Sequence, residues 1–251
     1  MDKILYTAMS GARQSMEQQA VVNHNLANAT TSGFRAQLHA MRAVPVQGEA
    51  RLDTRASVAA ATPGSDMSAG PISATGRPLD VALEGNAWMA VQDAQGNEAY
   101  TRRGDIQIDG DGMLHVAGKP VLGDDGPILV PLESQVSIGA DGTISAIAPG
   151  QTSDAIAEVG RIKLVTTDAQ ALERGDDGLF RSRAGDGGVA ALPRSETAKL
   201  ATGSLEGSNV SAVESMVSMI DIARRYEMQM KVISSADENA QRANSLLSLQ
   251  G

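Results

Sequence analysis

A single stretch of the sequence, residues 211–249, predicts one uninterrupted α-helix. Apolar or small residues recur every three or four positions along it, and neither Gly nor Pro lies between them. Ser211 followed by Glu214 fits a capping box at its start. At 1.5 Å per residue this helix would be roughly 57 Å long. The large residues that we expect to make helix contacts are Val213, Met216, Ile220, Tyr226, Met230, Ile233 and Leu247.

A helix of this length with one apolar stripe is not stable alone and needs a partner along most of its length. It could lie in an ordinary globular core. However, the stripe is rich in Met, Ala and Ser, which suits adaptable contacts between helices. The stripe places Ile220 on the contact face and Gln229 on the solvent side.

A second helix is predicted for residues 3–28, at the opposite end of the chain. Leu5, Met9 and Met16 follow the same spacing of three or four. Asn, Thr and Ser residues then compete for backbone hydrogen bonds and end the helix. We expect Gly33 to take a positive φ and Phe34 to anchor the exit of the chain.

Residues 35–75 differ in composition, since they are rich in Ala, Ser, Thr, Pro and Gly. Such a segment cannot bury a core of its own and is interpreted as an extended linker. The alternative is disorder in the free chain.

Residues 76–202 are predicted to form a central β domain. Short apolar alternations, such as Leu79-Val81-Leu83 and Val136-Ile138, are separated by Asp-Gly and Asn-Gly turn signals. No helix period lies between them, which favours a sandwich or barrel-like all-β domain. Trp88 and Met89 are expected to pack inside it. The fold class is therefore α+β.

Charge and composition exclude several classes of partner. The chain has 251 residues, no cysteine and a formal net charge of −9. Most of the negative charge lies between the two helices, which argues against nucleic acid or an anionic membrane as partner. No run of 18 apolar residues is present, so no membrane insertion is expected. The start of the chain has no apolar region typical of a cleaved secretory signal.

The sequence marks out no catalytic, cofactor-binding or metal-binding residues. The turn at residues 109–112 lacks the ligand pattern of a calcium loop, and a hairpin turn explains it. His24, His39 and His115 are far apart in the sequence, without paired-ligand spacing. Arg102-Arg103 could be an anion site, but such a pair is more often a solvated strand end.

Several motifs carry a resemblance to a known family. Asn25-Leu26-Ala27-Asn28, followed by Thr31-Ser32-Gly33-Phe34, resembles the N-terminal signature of bacterial flagellar rod and hook proteins, with His24 where an Asn normally stands. The segments 76–85, 206–210 and 223–227 resemble the other signatures of that family. The similarity covers nearly the whole chain.

The resemblance implies an organisation in four segments: an N-terminal helix (1–34), an extended segment (35–75), the β domain (76–202) and a C-terminal helix (203–251). The terminal helices would pair as a coiled-coil-like stalk. The implied function is a structural subunit of the proximal flagellar rod, a hollow drive shaft that spans the periplasm. The implied partners are copies of itself, proximal and distal rod proteins and the flagellar type III export apparatus, through which it would pass without a cleaved signal.

The resemblance also adds residues to the expected assembly interface. Besides the helix residues named above, these are Asn25, Leu26, Asn28, Gly33 and Phe34. The two asparagines could instead form hydrogen bonds at the helix end.

Two alternatives differ in kind from a proximal rod subunit. One is a distal rod or hook-type axial protein. The other is a secreted β-domain enzyme or binding module with a helical dimerisation stalk. Aromatic residues make up only 2% of the chain and catalytic motifs are missing, which favours the structural subunit.

Overall fold

The computed structural model describes residues 2–45, 56–148, 156–168, 171–182 and 191–248. It is an α+β protein, as predicted, with two long helices at the ends of the sequence and many short strands between them. The helices are α1 (Asp2–Ala27) and α2 (Ala212–Ser248). The strands are β1 (Gln37–Pro45), β2 (Ala56–Ser65), β3 (Ile72–Ala74), β4 (Val81–Leu83), β5 (Ala87–Gln92), β6 (Glu98–Thr101), β7 (Gln107–Ile108), β8 (Leu114–Val116), β9 (Lys119–Pro120), β10 (Leu122–Gly123), β11 (Gly126–Pro127), β12 (Gln135–Ile138), β13 (Thr143–Ile147), β14 (Ala157–Arg161), β15 (Leu164–Thr166), β16 (Leu172–Arg174), β17 (Phe180–Ser182), β18 (Leu200–Thr202) and β19 (Ser204–Glu206).

Local signals set the bounds of both helices. The Glu214 amide donates to Ser211 Oγ over 3.3 Å, so Ser211 is the N-cap of α2. At the end of α1 the Asn28 side chain donates to the His24 carbonyl over 2.9 Å, which satisfies one of the last free carbonyls.

The chain divides into two compact units. The helical unit contains Met1–Ala29, Gln37–Ser65 and Val210–Gly251, and the β-rich unit contains Thr30–Ala36 and Asp66–Asn209. This division differs from the four expected segments. Residues 37–65, which are most of the expected linker, belong to the helical unit. The connectors that follow α1 (residues 30–36) and precede α2 (residues 207–209) belong to the β-rich unit.

The helical unit contains a β-hairpin where an extended linker was expected. β1 pairs with β2 in antiparallel fashion, from Gln37 opposite Ser65 to Pro45 opposite Ala56. The backbone is extended, as expected, but it is paired and not a free linker. The composition gave no sign of this pairing, because backbone ladders do not require large side chains.

Helices α1 and α2 contact each other through small residues. Ala8 and Ala12 are buried on α1, and a Cβ added at Gly11 would lie 2.6 Å from the Gln229 side-chain nitrogen. Ser15 Oγ donates to Gln229 Oε1 over 3.3 Å. Small side chains allow the α1 backbone to lie close to α2.

The β-rich unit is built from several small antiparallel sheets. The largest has five strands in the order β15-β5-β6-β17-β16, and the three-stranded sheets are β7-β8-β9 and β12-β13-β14. Two-stranded pairs, β18-β4, β19-β3 and β10-β11, complete the described set. The barrel-like arrangement that was one expectation is not found, since the described strands belong to several separate sheets and do not form one closed barrel.

Strand β5 lies between two apolar clusters. Met89 belongs to the larger cluster with Ile106, Leu114, Ile144, Ile162 and their neighbours, whereas Trp88 packs with Tyr100 and Phe180. Adjacent residues of a strand point to opposite faces, which explains the separation. The prediction that Trp88 and Met89 pack inside is confirmed, since both are buried.

Candidate functional site

The first candidate surface is a set of large apolar side chains exposed on the two helices. On α2, Val213, Met216 and Ile220 are 72%, 53% and 54% exposed. On α1, Met9 and Met16 are 52% and 59% exposed. We call these five residues the outer apolar face. All five were predicted to make contacts, and none is buried within this chain.

The covered side of α2 therefore overlaps the stripe predicted from the sequence only in part, at residues such as Tyr226 and Ile233. Ile222 is the fully buried residue of α2 among those described. Half-buried residues continue the same face in alternating steps of three and four: Ser215, Met219, Tyr226, Gln229, Ile233, Ala236 and Ala240. The expectation that Gln229 lies on the solvent side was wrong, since Gln229 is half-buried and bonds to Ser15, whereas the expected contact of Ile220 with a neighbouring subunit stays a prediction. Small and polar residues, which the stripe undervalued, form the close contact with α1.

The other helix residues that were predicted to make contacts are less exposed than the outer apolar face. Leu5, Leu26, Tyr226 and Ile233 are half-buried, and Met230 is 43% exposed. Leu247 lies in α2, but its side chain is outside the described residues.

The two asparagines of the N-terminal motif form hydrogen bonds within the chain. Asn25 Nδ2 donates to the Gln37 carbonyl and Asn25 Oδ1 accepts the Gln37 amide, both over 2.9 Å. Asn25 thus fixes the start of β1 against the end of α1. Asn28 bonds to the His24 carbonyl as described above. Both asparagines therefore form hydrogen bonds at the end of α1, which was the alternative to a role in a subunit contact.

Gly33 and Phe34 occupy the connector that follows α1, and both expectations for them are confirmed. Gly33 has a φ of +65°. A Cβ there would lie 2.4 Å from the Arg102 carbonyl carbon, so only glycine fits without displacing backbone. Phe34 is buried, and the Arg174 guanidinium lies 4.7 Å from its ring centroid, a cation–π contact.

The second candidate site is a buried ion-pair cluster, which we call the Glu206 joint: Glu206, Arg35 and Arg102. Arg35 Nη2 lies 2.7 Å from Glu206 Oε1, and Arg102 Nε lies 2.7 Å from Glu206 Oε2. All three side chains are at most 3% exposed. The Gly70 amide also donates to Glu206 Oε1, over 3.0 Å. The Glu206 carbonyl accepts the Gly33 amide over 2.7 Å.

Arg102 is therefore not the solvated strand end that the sequence suggested. Its Nη1 donates to the carbonyls of Gly85 and Ala87, and its Nη2 donates to the Leu83 carbonyl. Burial lowers the pKa of the Arg102 guanidinium, and the Glu206 carboxylate opposes that shift. The sequence alone does not show that Arg102 is buried, because its carboxylate partner Glu206 lies about a hundred residues away along the chain. Arg103 forms its own pair with Asp105, over 2.5 and 2.8 Å.

The Asp-Gly turn that suggested calcium is a hairpin turn. Asp109 Oδ1 accepts the amides of Asp111 and Met113, over 3.0 and 2.9 Å. Within the described ranges, no group of three or more acidic or histidine side chains is arranged to hold a metal ion. In the same part of the chain, neither helix has an apolar stretch of the length needed to cross a bilayer.

Two family models match the chain. The model described as "Flagellar hook protein FlgE/F/G D1 domain" matches residues 82–146, within the β-rich unit. The model described as "Flagellar basal body rod FlgEFG protein C-terminal" matches residues 201–246, which include Glu206 and most of α2.

Full-length relatives agree with the family models. The chain is 54% identical to the flagellar basal-body rod protein FlgF of Escherichia coli K12, over 99% of this chain and 100% of the relative. It is 53% identical to FlgF of Salmonella typhimurium LT2 over the same shares. The rod protein FlgG of Bacillus subtilis is 30% identical, over 95% of this chain and 96% of the relative.

The chain belongs to the family of flagellar basal-body rod proteins, which are structural proteins and not enzymes. Within that family its sequence resembles FlgF, from end to end. The alternative of a secreted enzyme with a helical stalk is thereby set aside.

Proposed function

We propose that this rod subunit assembles through its terminal helices with copies of itself and with other rod proteins, in the proximal part of the rod. The helices pair within the chain as a coiled-coil-like stalk. The product is a hollow drive shaft that spans the periplasm and passes torque toward the hook. The flagellar type III export apparatus delivers the chain.

The observation that carries the proposal is the outer apolar face. Ile220, Met216 and Val213 are more than half exposed in the single chain. Exposed apolar side chains of this size, adjacent on one helix, are typical of an interaction surface. Heterologous contacts, in which one surface of a subunit binds a different surface of the next copy, repeat into a helical filament.

Pairing of α1 and α2 is supported by the alternating spacing of the covered residues. The steps of three and four from Ser215 to Ala240 average about 3.6 residues, the period of an α-helix, so the covered residues form one continuous face along α2. Small residues at Ala8 and Ala12 would allow a close approach of the helix axes.

The remaining expected interface residues have a different place in the proposal. Asn25, Asn28, Gly33 and Phe34 act by shaping the end of α1 and the connector, and so position the helices for contact with neighbours. Their internal hydrogen bonds and burial support that positioning role.

The test is the location of the chain in purified basal bodies. We expect quantitative mass spectrometry to find it in the rod fraction, and a cryo-electron microscopy map to place it on the motor side of the distal rod. A strain that lacks the chain should be non-motile and should regain swimming with the parental gene. Absence from the rod would contradict the proposal, and recovery only with the hook would favour the alternative of a hook-type axial protein.

A further inference from the structure

The Glu206 joint has an unusual charge balance. Two guanidinium groups share one buried carboxylate, and Arg35 Nε and Nη1 meet no acceptor among the residues that the structure describes. Buried ion pairs are a costly way to stabilise a fold, since apolar residues of similar volume often stabilise it as well or better. What such a cluster does provide is a fixed geometry.

The joint binds the two connectors that lead to the helices. Arg35 and Gly33 follow the end of α1 at Ala27, and Glu206 precedes the start of α2 at Ala212. The Gly33 amide donates to the Glu206 carbonyl over 2.7 Å. The two connectors are therefore tied to each other by both main-chain and side-chain bonds.

A second set of hydrogen bonds, centred on Asn209, also joins these segments. The Ala36 amide donates to Asn209 Oδ1 over 2.8 Å, and the Asn209 amide group donates to the carbonyls of Asp66 and Ser68 over 2.9 and 3.0 Å. The chain that returns from the hairpin thus joins the same cluster.

The joint is also attached to the largest sheet of the β-rich unit. Arg102 directly follows β6, and its guanidinium binds the carbonyls of Leu83, Gly85 and Ala87 around the start of β5. The backbones touch here as well. A Cβ at Gly70 would lie 2.1 Å from the Gly207 carbonyl oxygen, and one at Gly33 would collide with Arg102.

We propose that the Glu206 joint locks both helix connectors to the β-rich unit as one rigid piece, and that this piece transmits torque within the subunit. The inference rests on the proposed function, because torque passes only through an assembled rod. Glu206, Arg35 and Arg102 are positioning residues, since they act on the connectors and not on a neighbouring subunit.

The first test measures hydrogen exchange of the soluble protein with Glu206→Gln. The amide side chain keeps the shape of the carboxylate, but its NH₂ group faces a guanidinium donor. We expect the amides of Gly33, Ala36 and Gly70 to exchange at least about tenfold faster, because local opening no longer breaks two charged hydrogen bonds. The amides of Val91 and Ala99, in the core, should change less than about twofold.

A second variant keeps the test decisive if Glu206→Gln fails to fold. Arg35→Met removes the arginine with unsatisfied nitrogens and leaves the Arg102–Glu206 pair intact. It should accelerate exchange of the same connector amides by at least about threefold. The matched control is Asp124→Asn, which breaks an exposed pair with Arg194 and should leave those amides unchanged. Unchanged connector amides in Arg35→Met, or equal acceleration in the core, would overturn the inference.

The second test is made in cells. We expect Glu206→Gln to enter basal bodies at the parental level but to lower swimming speed in viscous medium by at least about threefold, because a looser joint yields under high torque. Parental speed in that medium, or absence of the variant from basal bodies, would overturn the role in torque transmission. If the parental chain itself is missing from basal bodies, the proposed function fails, whereas the exchange result on soluble protein stands independently.

Discussion

Gly33 and Gly76 have the same left-handed backbone conformation, with φ of +65° and +73°, but different surroundings. A Cβ at residue 33 would lie 2.4 Å from the Arg102 carbonyl carbon, whereas no described atom lies within 4 Å of one at residue 76. The two glycines therefore separate the effect of backbone conformation from that of a close backbone contact.

We expect Gly76→Ala to lower the free energy of unfolding of the β-rich unit by about 1 kcal/mol, the cost of a left-handed alanine. Gly33→Ala should lower it by a further ~1–3 kcal/mol, because the added carbon forces two backbone segments apart. Urea denaturation followed by Trp88 fluorescence measures both variants. Equal losses at the two positions would show that the contact with Arg102 is not tight.

Asp93 shows how a buried carboxylate links stability to pH. Burial raises its pKa, but hydrogen bonds from Arg181 and from the amides of Asn97 and Gln95 outweigh burial and hold the pKa below its usual value. A lowered pKa in the folded state means that the ionised group stabilises the fold above the unfolded pKa of about 3.9. This contribution is lost as the pH falls through the lowered value.

We therefore expect Asp93→Asn to be less stable than the parent at pH 7, and the difference to shrink once the pH falls below about 4. Urea unfolding at a series of pH values measures this difference. Asp125→Asn, at an exposed position, is the control and should follow the parent throughout. A difference for Asp93→Asn that is the same at acidic and neutral pH would contradict the assignment.

At the scale of elements, the helices could be predicted from the sequence, but their covered faces only in part. Periodicity, the Ser211 cap and the absence of Gly and Pro are local signals, and they gave both helices to within two residues. The covered face depends on which residues let α1 come close. Those include the small residues Gly11, Ala12 and Ser15, of which the spacing of three or four marks Ala12 but not Ser15.

The hairpin and the Glu206 joint were missed for a related reason. The pairing of β1 with β2 and the burial of Arg102 both depend on residues far apart in the sequence. No local pattern reports such contacts. The positive φ of Gly33 and the burial of Trp88, in contrast, follow from residue type and strand position, and both were predicted.

The neighbouring residues Ile220 and Ile222 test the orientation of α2 in the soluble protein. Ile222 is fully buried, so Ile222→Asp should cost more than ~3 kcal/mol and reduce helix content in circular dichroism at 222 nm. Ile220 is 54% exposed, and a carboxylate there would lie four residues before Arg224, the favourable order for a helix surface pair. Ile220→Asp should therefore keep the parental helix signal. A loss of helix in both variants would mean that the outer apolar face is buried within the chain.

At the scale of the whole molecule, the two compact units differ in how much apolar surface they bury. The described core of the β-rich unit contains large residues such as Met89, Ile106 and Ile162, whereas small residues dominate the buried positions of α1. Large buried side chains contribute more to the free energy of unfolding than small ones. The helical unit is therefore expected to be the less stable of the two until neighbours cover it.

The single tryptophan makes this expectation measurable. Trp88 lies in the β-rich unit, while the ellipticity at 222 nm reports mainly on α1 and α2. In urea, we expect the helical signal to be lost at a lower concentration than the change in Trp88 fluorescence. Coincident transitions would indicate one cooperative unit and would contradict an independent helical unit.

The central claim is that the outer apolar face of the helices joins subunits in the rod, and incorporation of Ile220→Asp into basal bodies tests it most directly. Since residue 220 is exposed in the single chain, the variant should be exported and soluble, with a parental Trp88 transition. Burying its carboxylate in an apolar subunit contact is strongly unfavourable. Its amount in purified basal bodies should fall at least about tenfold, since a loss of 1.4 kcal/mol per contact already changes an association constant by that factor. Asp221→Asn, at the adjacent exposed position, should be incorporated normally. Parental incorporation and swimming with Ile220→Asp would contradict the claim that this face is buried in the rod.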